Sequence, residues 1–304
     1  MSHTGELAAL AAAMFWTVTA LAFEAASKRI GSLQVNLLRL CMAFLLFGLL
    51  ALFRTGNFFP EGASAHNWFW LSLSGLIGFV IGDLFLFQAY VVVGARISML
   101  IMSLAPPMAA FTGWLVLGET LSWLALLGMT LTLTGISMVI LVKRDTKTSS
   151  EEPPKKGLKL RYPLYGLLLA FGGAAGQATG LVLSKYGMSN YDVFSATQIR
   201  VITGASGFFL IFLFMNRWKK LFAAFSNRKA MGALSLGALF GPFLGVSASL
   251  FAVKYASTGV ASSIMSIVPI MIIPPAVLLF KEKIGFREVL GACLAITGVI
   301  LFFI

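Results

Sequence analysis

Glu24, Arg39, Asp83 and Arg200 stand inside stretches that are otherwise apolar. A charge placed in hydrocarbon is costly, and it is kept where it pairs with another group or meets a solute. At a rise of about 1.5 Å per residue, Glu24 near the end of the first stretch, Arg39 early in the second and Asp83 in the third fall at one depth. Two carboxylates and a guanidinium at one level can form a buried ionic cluster that breaks and reforms as helices move. The three are therefore expected to converge in one gate. Arg200 is the counterpart of Arg39 in the second half, allowing a two-residue slip. Val246 stands where a second Asp83 would be, so the two gates are expected to be chemically unequal. The plainer alternatives are that both arginines bond helix-end carbonyls and that Glu24 reaches the interface beside Lys28.

Uncharged polar groups add to this set. Trp16 and Gln177 occupy the middle thirds of the first apolar stretch of each half, and Gln88 and Tyr90 follow Asp83. With Met102 and Met265, they are expected to line a cavity for a small molecule. Gln198 could orient a ligand as well. Pro106 and Pro269 lie at matched positions of two further stretches, followed by Pro107 in one and Pro274 in the other. Proline removes a backbone donor, and the carbonyls it frees are tolerated in a bilayer only where they are buried in protein or line a cavity. Kinks are expected at these four residues, facing the interior.

Other chemistry finds little here. His3 and His66 are too few and too far apart for a metal site, and no cofactor motif is present. Cys41 and Cys293 fall within apolar stretches and read as packing residues with no disulfide. No GxxxxGK[ST] loop offers a nucleotide site, so any work done across a bilayer must be passive or gradient-driven. An intramembrane enzyme would need a nucleophile and base, or metal ligands, at membrane depth. None is found, and the chain is read as a non-enzyme.

The elements that must position these residues are legible from composition. The chain has 304 residues, 59% of them hydrophobic and 11% charged, with a mean hydropathy of +0.91. Apolar stretches of about 20 residues, each able to cross the hydrocarbon core, run near 6–28, 33–53, 67–91, 96–117, 122–142, 163–184, 194–215, 230–253, 260–280 and 286–304. They lack the alternation of a β-barrel. The expected fold is an all-α membrane protein of ten transmembrane helices.

A shift of 163 residues lays Ile101, Met102, Ser103, Pro106, Glu119 and Gly128 onto Ile264, Met265, Ser266, Pro269, Glu282 and Gly291. It also carries Gly78 and Gly82 onto Gly241 and Gly245. The chain is thus a duplication, with a first repeat over 1–142, a flexible polar linker over 143–162 and a second repeat over 163–304. Five spans per half mean that the second copy enters from the opposite side, so the repeats are inverted.

The formal charge of +12 would suggest nucleic acid in a soluble chain, but here the basic residues sort by side. Lys28, Arg29, Arg96, the linker, Arg217, Lys219, Lys220, Arg228 and Lys229 share one face, while Arg54, Lys185 and Lys254 lie on the other. The positive-inside rule puts the basic face in the cytoplasm and both termini outside, as expected for a bacterial inner or plasma membrane. The partners implied are the bilayer, a small-molecule substrate and a coupling proton, with no nucleic acid. Small-residue faces at Gly128, Thr132 and Gly135, and at Gly291, Ala295 and Gly298, mark spans 5 and 10 as peripheral packing or homodimer elements.

Leu117-Gly118-Glu119-Thr120-Leu121-Ser122 runs into Gly128 and Gly135, follows a proline-centred span, and is preceded by Arg39 early in span 2. With the second copy of each feature, the chain resembles the ten-helix drug/metabolite transporter superfamily with two EamA-type repeats. The second hairpin departs from the first, reading Phe280-Lys281-Glu282-Lys283-Ile284-Gly285. The resemblance implies a central cavity between bundles of helices 1–4 and 6–9, with 5 and 10 outside. It also implies export or exchange of small organic metabolites, as in amino-acid exporters of the YddG kind or relatives that move sugar nucleotides or triose phosphates. The mixed polar residues favour an amino acid or amphipathic solute moved outward. A phosphorylated sugar or nucleotide sugar is the alternative.

Overall fold

The computed structural model describes residues 4–105, 107–108, 111–112, 123–143, 158–188, 190–255, 264–265, 267–281 and 285–301. In hydrocarbon every backbone group must be satisfied within the protein, so apolar runs of this length become helices. The first half supplies α1 (Thr4–Ile30), α2 (Ser32–Thr55), α3 (Ala65–Gly75), the π-helix π1 (Leu76–Gly82), α4 (Asp83–Val92), α5 (Gly94–Met102) and α6 (Trp123–Ile140). The second supplies α7 (Leu164–Met188), α8 (Val193–Met215), α9 (Trp218–Phe225), α10 (Arg228–Ala238), π2 (Leu239–Gly245), α11 (Val246–Tyr255), α12 (Val268–Met271), α13 (Ile273–Phe280) and α14 (Phe286–Leu301). Six described helical segments are long and apolar enough to cross a membrane, the third being the continuous run Ala65–Val92. The molecule is an all-α membrane protein.

The duplication reaches into an unusual detail of the backbone. The same 163-residue shift carries π1 onto π2 residue for residue. In each, the amide that follows the π-helix bonds a carbonyl five residues back, Asp83 to Gly78 and Val246 to Gly241. Such turns are rare and collect at functional positions, because the wider turn alters which carbonyls face a neighbour.

Helix packing repeats with the sequence. The α3–π1–α4 rod lies on α7, and the α10–π2–α11 rod lies on α1, which is the same contact with the halves exchanged. Helix α2 lies on α8, and α6 on α14, each pairing a helix with its own counterpart. A pseudo-two-fold relation between inverted halves requires this pattern.

The two crossings are filled differently. On α7, a Cβ at Gly176 would stand 2.5 Å from Gly82 Cα, and one at Gly180 would stand 2.9 Å from Gly78 Cα, so glycine faces glycine. On the other side, Gly237, Gly241 and Gly245 receive the side chains of Phe23, Thr19 and Trp16. Glycine therefore permits close backbone approach at the first crossing and holds projecting α1 side chains at the second.

Helices α6 and α14 meet through the small residues noted in the sequence. A Cβ at Gly135 would lie 2.5 Å from Ala295 N, and Thr132 Oγ1 donates to Gly128 O at 2.8 Å and to Ala295 O at 3.2 Å. Those faces are occupied within one chain.

Three details differ from the sequence reading. The linker's ends are paired, since β1 (Leu141–Lys143) and β2 (Leu158–Leu160) form an antiparallel ladder in which Leu141 faces Leu160. Arg161 N continues it to Ile140 O at 2.9 Å. Residues 144–157, the linker's centre, lie outside the described residues. A further short helix, α9, follows α8 in what reads as a loop. It buries Leu221 and Ala224 and sets Trp218 against Phe209 and Phe212, with Lys219 and Lys220 exposed. Cys41 and Cys293 are exposed on their helices rather than packed, in a form suited to contact with lipid.

Candidate functional site

Asp83 opens α4 directly after π1, and its carboxylate is the meeting point of three helices. One oxygen pairs with the Arg39 guanidinium of α2, and the other accepts from Gln177 Nε2 of α7 at 2.6 Å. Arg39 Nε donates to Asn36 Oδ1 at 3.0 Å. Asn36 Nδ2 donates in turn to the Asp83 carbonyl at 3.2 Å and to Ser32 O at 3.2 Å. The Arg39 guanidinium lies over the Phe87 ring at 4.6 Å, and the side chains of Arg39 and Asp83 are 7% and 5% exposed. Gln177 Nε2 also approaches Gly78 O at 3.3 Å, a carbonyl of the π turn. The cluster therefore spans both halves, and its closest packing is the glycine-on-glycine crossing beside it.

Arg200 lies on the far side of π1. Its guanidinium sits over the Phe79 ring at 4.4 Å, and a Cβ at Gly78 would stand 3.4 Å from Nη2. Its Nε is buried without a hydrogen-bond partner, and it makes no salt bridge among the described residues. Among those residues it bonds no helix-end carbonyl either.

Glu24 does not join Arg39 and Asp83, which corrects the three-way convergence expected from depth. One of its oxygens pairs with Lys28, and the other accepts from Ala95 N at 2.9 Å. Gly94 takes φ +83° between α4 and α5, and this turns the first amides of α5 toward α1. Those amides have no intrahelical acceptor, and a carboxylate is favoured at a helix N-terminus. With 1% of its side chain exposed, Glu24 does not reach the interface either.

The expected cavity residues divide. Gln177 touches the Asp83 cluster, and Trp16 donates to Ser249 Oγ at 3.4 Å across the second crossing. Gln88 is engaged elsewhere, accepting from Ser32 Oγ at 2.7 Å and tying α2 to α4. Tyr90 is buried, with its hydroxyl 3.5 Å from Met99 Sδ. Met102 packs on the same apolar cluster as Tyr90, and Met265 packs by Ala9 and Ala252. Pro106 lies outside the described residues, while Pro107 is helical and buried. Pro269 and Pro274 stand in the first turns of the short helices α12 and α13. There the missing N–H leaves no bond unmade, so they start separate helices rather than kink one. Pro269 is buried beside a hollow of about 10 Å³, whereas Pro274 is exposed rather than turned to the interior.

A second ionic group escaped the sequence reading. Arg96 Nη1 of α5 donates to Glu288 Oε2 of α14 at 2.6 Å, and Arg161 after β2 also pairs with Glu288, whose side chain is 1% exposed. Arg96 Nη2 reaches the Tyr162 hydroxyl at 3.4 Å. This group anchors the linker's end to α5 and α14. An acid in the first turn of span 10, level with a basic residue opening span 4, was the available signal.

The sequence profile of the EamA-like transporter family matches residues 3–141 and again residues 164–304. The chain belongs to the EamA-like transporter family. That family lies within the drug/metabolite transporter superfamily, and the match covers both halves. Its members are membrane transporters of small solutes and not enzymes. No curated protein matches the chain. A solved structure described as "Crystal structure of protein" is similar with a TM-score of 0.60 at 14% identity, over 99% of this chain and 96% of that one. That likeness is one of fold.

Proposed function

We propose that this EamA-like transporter is a secondary exporter of small organic metabolites, amino acids or amphipathic solutes among them. The two inverted halves rock around a central site so that it opens to one side of the membrane at a time. The observation that carries this reading is the Asp83 cluster, which joins α2 and α4 of one half to α7 of the other through Arg39 and Gln177. A buried pair shared between bodies that move has two discrete arrangements, made and broken, and that is what an access switch needs.

The solute binds at mid-depth, contacted by Trp16 and Gln177 from the first helices of the halves, with Asp83 and Arg200 nearby. Asp83 is also the group placed to take up a coupling proton. The protein resides in a bacterial inner membrane with both termini outside, following the distribution of Lys and Arg. If it forms a homodimer through α6 and α14, the contact uses their leucine-bearing faces, where Leu126, Leu127, Leu133 and Leu290 are exposed.

The test is flux in proteoliposomes across amino acids, amphipathic drugs and phosphorylated sugars, with and without a pH gradient. Export of an amino acid or drug is expected, weakened by Trp16→Leu or Gln177→Leu without unfolding, and with its pH dependence altered in Asp83→Asn. Wild-type flux and affinity in all three variants would move the site elsewhere. Flux confined to phosphorylated sugars would favour an exchanger of those solutes.

A further inference from the structure

We infer that Arg200 is the anchor for a carboxylate group of the transported solute, an assignment that rests on the transport reading above. The buried ionised side chains within the described spans are all paired. Glu24 has Lys28, Arg39 has Asp83, and Arg96 shares Glu288 with Arg161. Arg200 makes no salt bridge among the described residues, with Asp83 acting on it only from beyond contact distance, and its Nε is buried with no hydrogen-bond partner. A guanidinium cannot escape this position by giving up its proton, and even a half-buried cation with no salt bridge is costly inside a membrane span. The Phe79 ring beneath it supplies only part of what water would.

The repeat explains how this arose. Arg39 and Arg200 are counterparts on α2 and α8, and α2 packs on α8. Asp83 has no counterpart, because Val246 follows π2 where an acid would complete the second pair. Two guanidiniums thus flank one carboxylate, leaving one positive charge unmatched at the contact between the halves. An anionic group arriving with the solute completes the set.

One wall beside Arg200 is glycine backbone. Gly78 borders the Nη2 edge, and Gly180 of α7 lies behind Gly78, so no side chain from either glycine covers that edge.

A phosphate dianion would call for a second free cation. Arg39 is held by Asp83 and Asn36 and does not supply one. The guest is therefore a carboxylate, alone or within a zwitterion.

The test uses the full chain in proteoliposomes and pairs of probes that differ at the ionised group. These are L-phenylalanine and its amide, L-threonine and its amide, and benzoate and benzamide, together with glucose 6-phosphate. The acid of a pair is expected to be transported with a KM at least about tenfold below that of its amide, the loss of one charge-assisted contact. Arg200→Gln is expected to erase that preference, and Arg200→Lys to restore part of it. Arg200→Met is expected to unfold no earlier than wild type, because a half-buried cation without a salt bridge has been removed. Equal transport of acid and amide, an acid preference that survives in Arg200→Gln, or transport of glucose 6-phosphate alone would overturn the anchor while leaving a transporter. Early unfolding of Arg200→Met with an acid preference kept in its folded fraction would make Arg200 structural and overturn it too. If the wild type moved none of the probes, the transport reading itself would fall, and the anchor with it.

Discussion

Asp83 is held by two side chains that come from different helices, and its removal and that of its partner should not be equivalent. Breaking a buried pair by removing one member costs about 3–5 kcal/mol, whereas replacing both by apolar groups is often near neutral. Arg39→Met alone is expected to be strongly destabilising, and Arg39→Met combined with Asp83→Val to recover most of the loss. Valine is what the second half carries at that place, as Val246. Denaturant unfolding of the purified variants checks the order, and a double variant less stable than Arg39→Met would show that the pair is not the stabilising unit. Much of this cluster was legible in the sequence, because an acid and an arginine inside apolar stretches must find partners. Depth along a helix follows from residue count, but the direction a side chain faces around the axis does not. That is why Glu24, at the same depth, was drawn into the cluster when its actual partners are Lys28 and the Ala95 amide. Asn36 went unremarked although it lies three residues before Arg39, on the same helix face.

At the scale of elements, the crossing of π1 on α7 depends on glycine at both surfaces. A large side chain at Gly180 would meet Gly78 backbone, and overpacking of this kind costs about 1–3 kcal/mol. Gly180→Leu is expected to lower the unfolding temperature and reduce flux, whereas Gly232→Leu, at a glycine with open space around it, should do neither. Equal effects of the two substitutions would mean that close approach at the crossing is not what matters. The spans themselves were readable from hydropathy, and the glycine pairs at 78 and 82 and at 241 and 245 marked where two helices would come close. The π turns were not readable, since no residue type demands the extra residue in the turn. Helix α9 was missed because its eight residues carry too short an apolar pattern to separate from a loop. The prolines of span 9 announced a break, but not that each would begin a new helix.

For the whole molecule, duplication was the most informative property of the sequence, and the helix contacts follow it, with α1 on α10–π2–α11 as α7 is on α3–π1–α4. Inverted halves joined this way can exchange two arrangements related by a pseudo-two-fold rotation, and the unequal filling of the two crossings makes those arrangements differ in stability. The halves are also stitched together at one end of the bundle. Tyr191 donates to Glu61 O at 2.7 Å, Gln198 Nε2 to Phe58 O at 2.6 Å, and Arg54 of α2 pairs with Asp192 before α8 at 3.5 Å. If the halves rock, these contacts must part during each cycle. The most direct measurement clamps them. Arg54→Cys and Asp192→Cys, in a chain whose Cys41 and Cys293 are replaced by alanine, would be joined by a short cleavable thiol-reactive linker and flux measured in proteoliposomes before and after cleavage. Alternating access predicts that flux stops when the linker is in place and returns when it is cut. Undiminished flux through fully linked protein would contradict it.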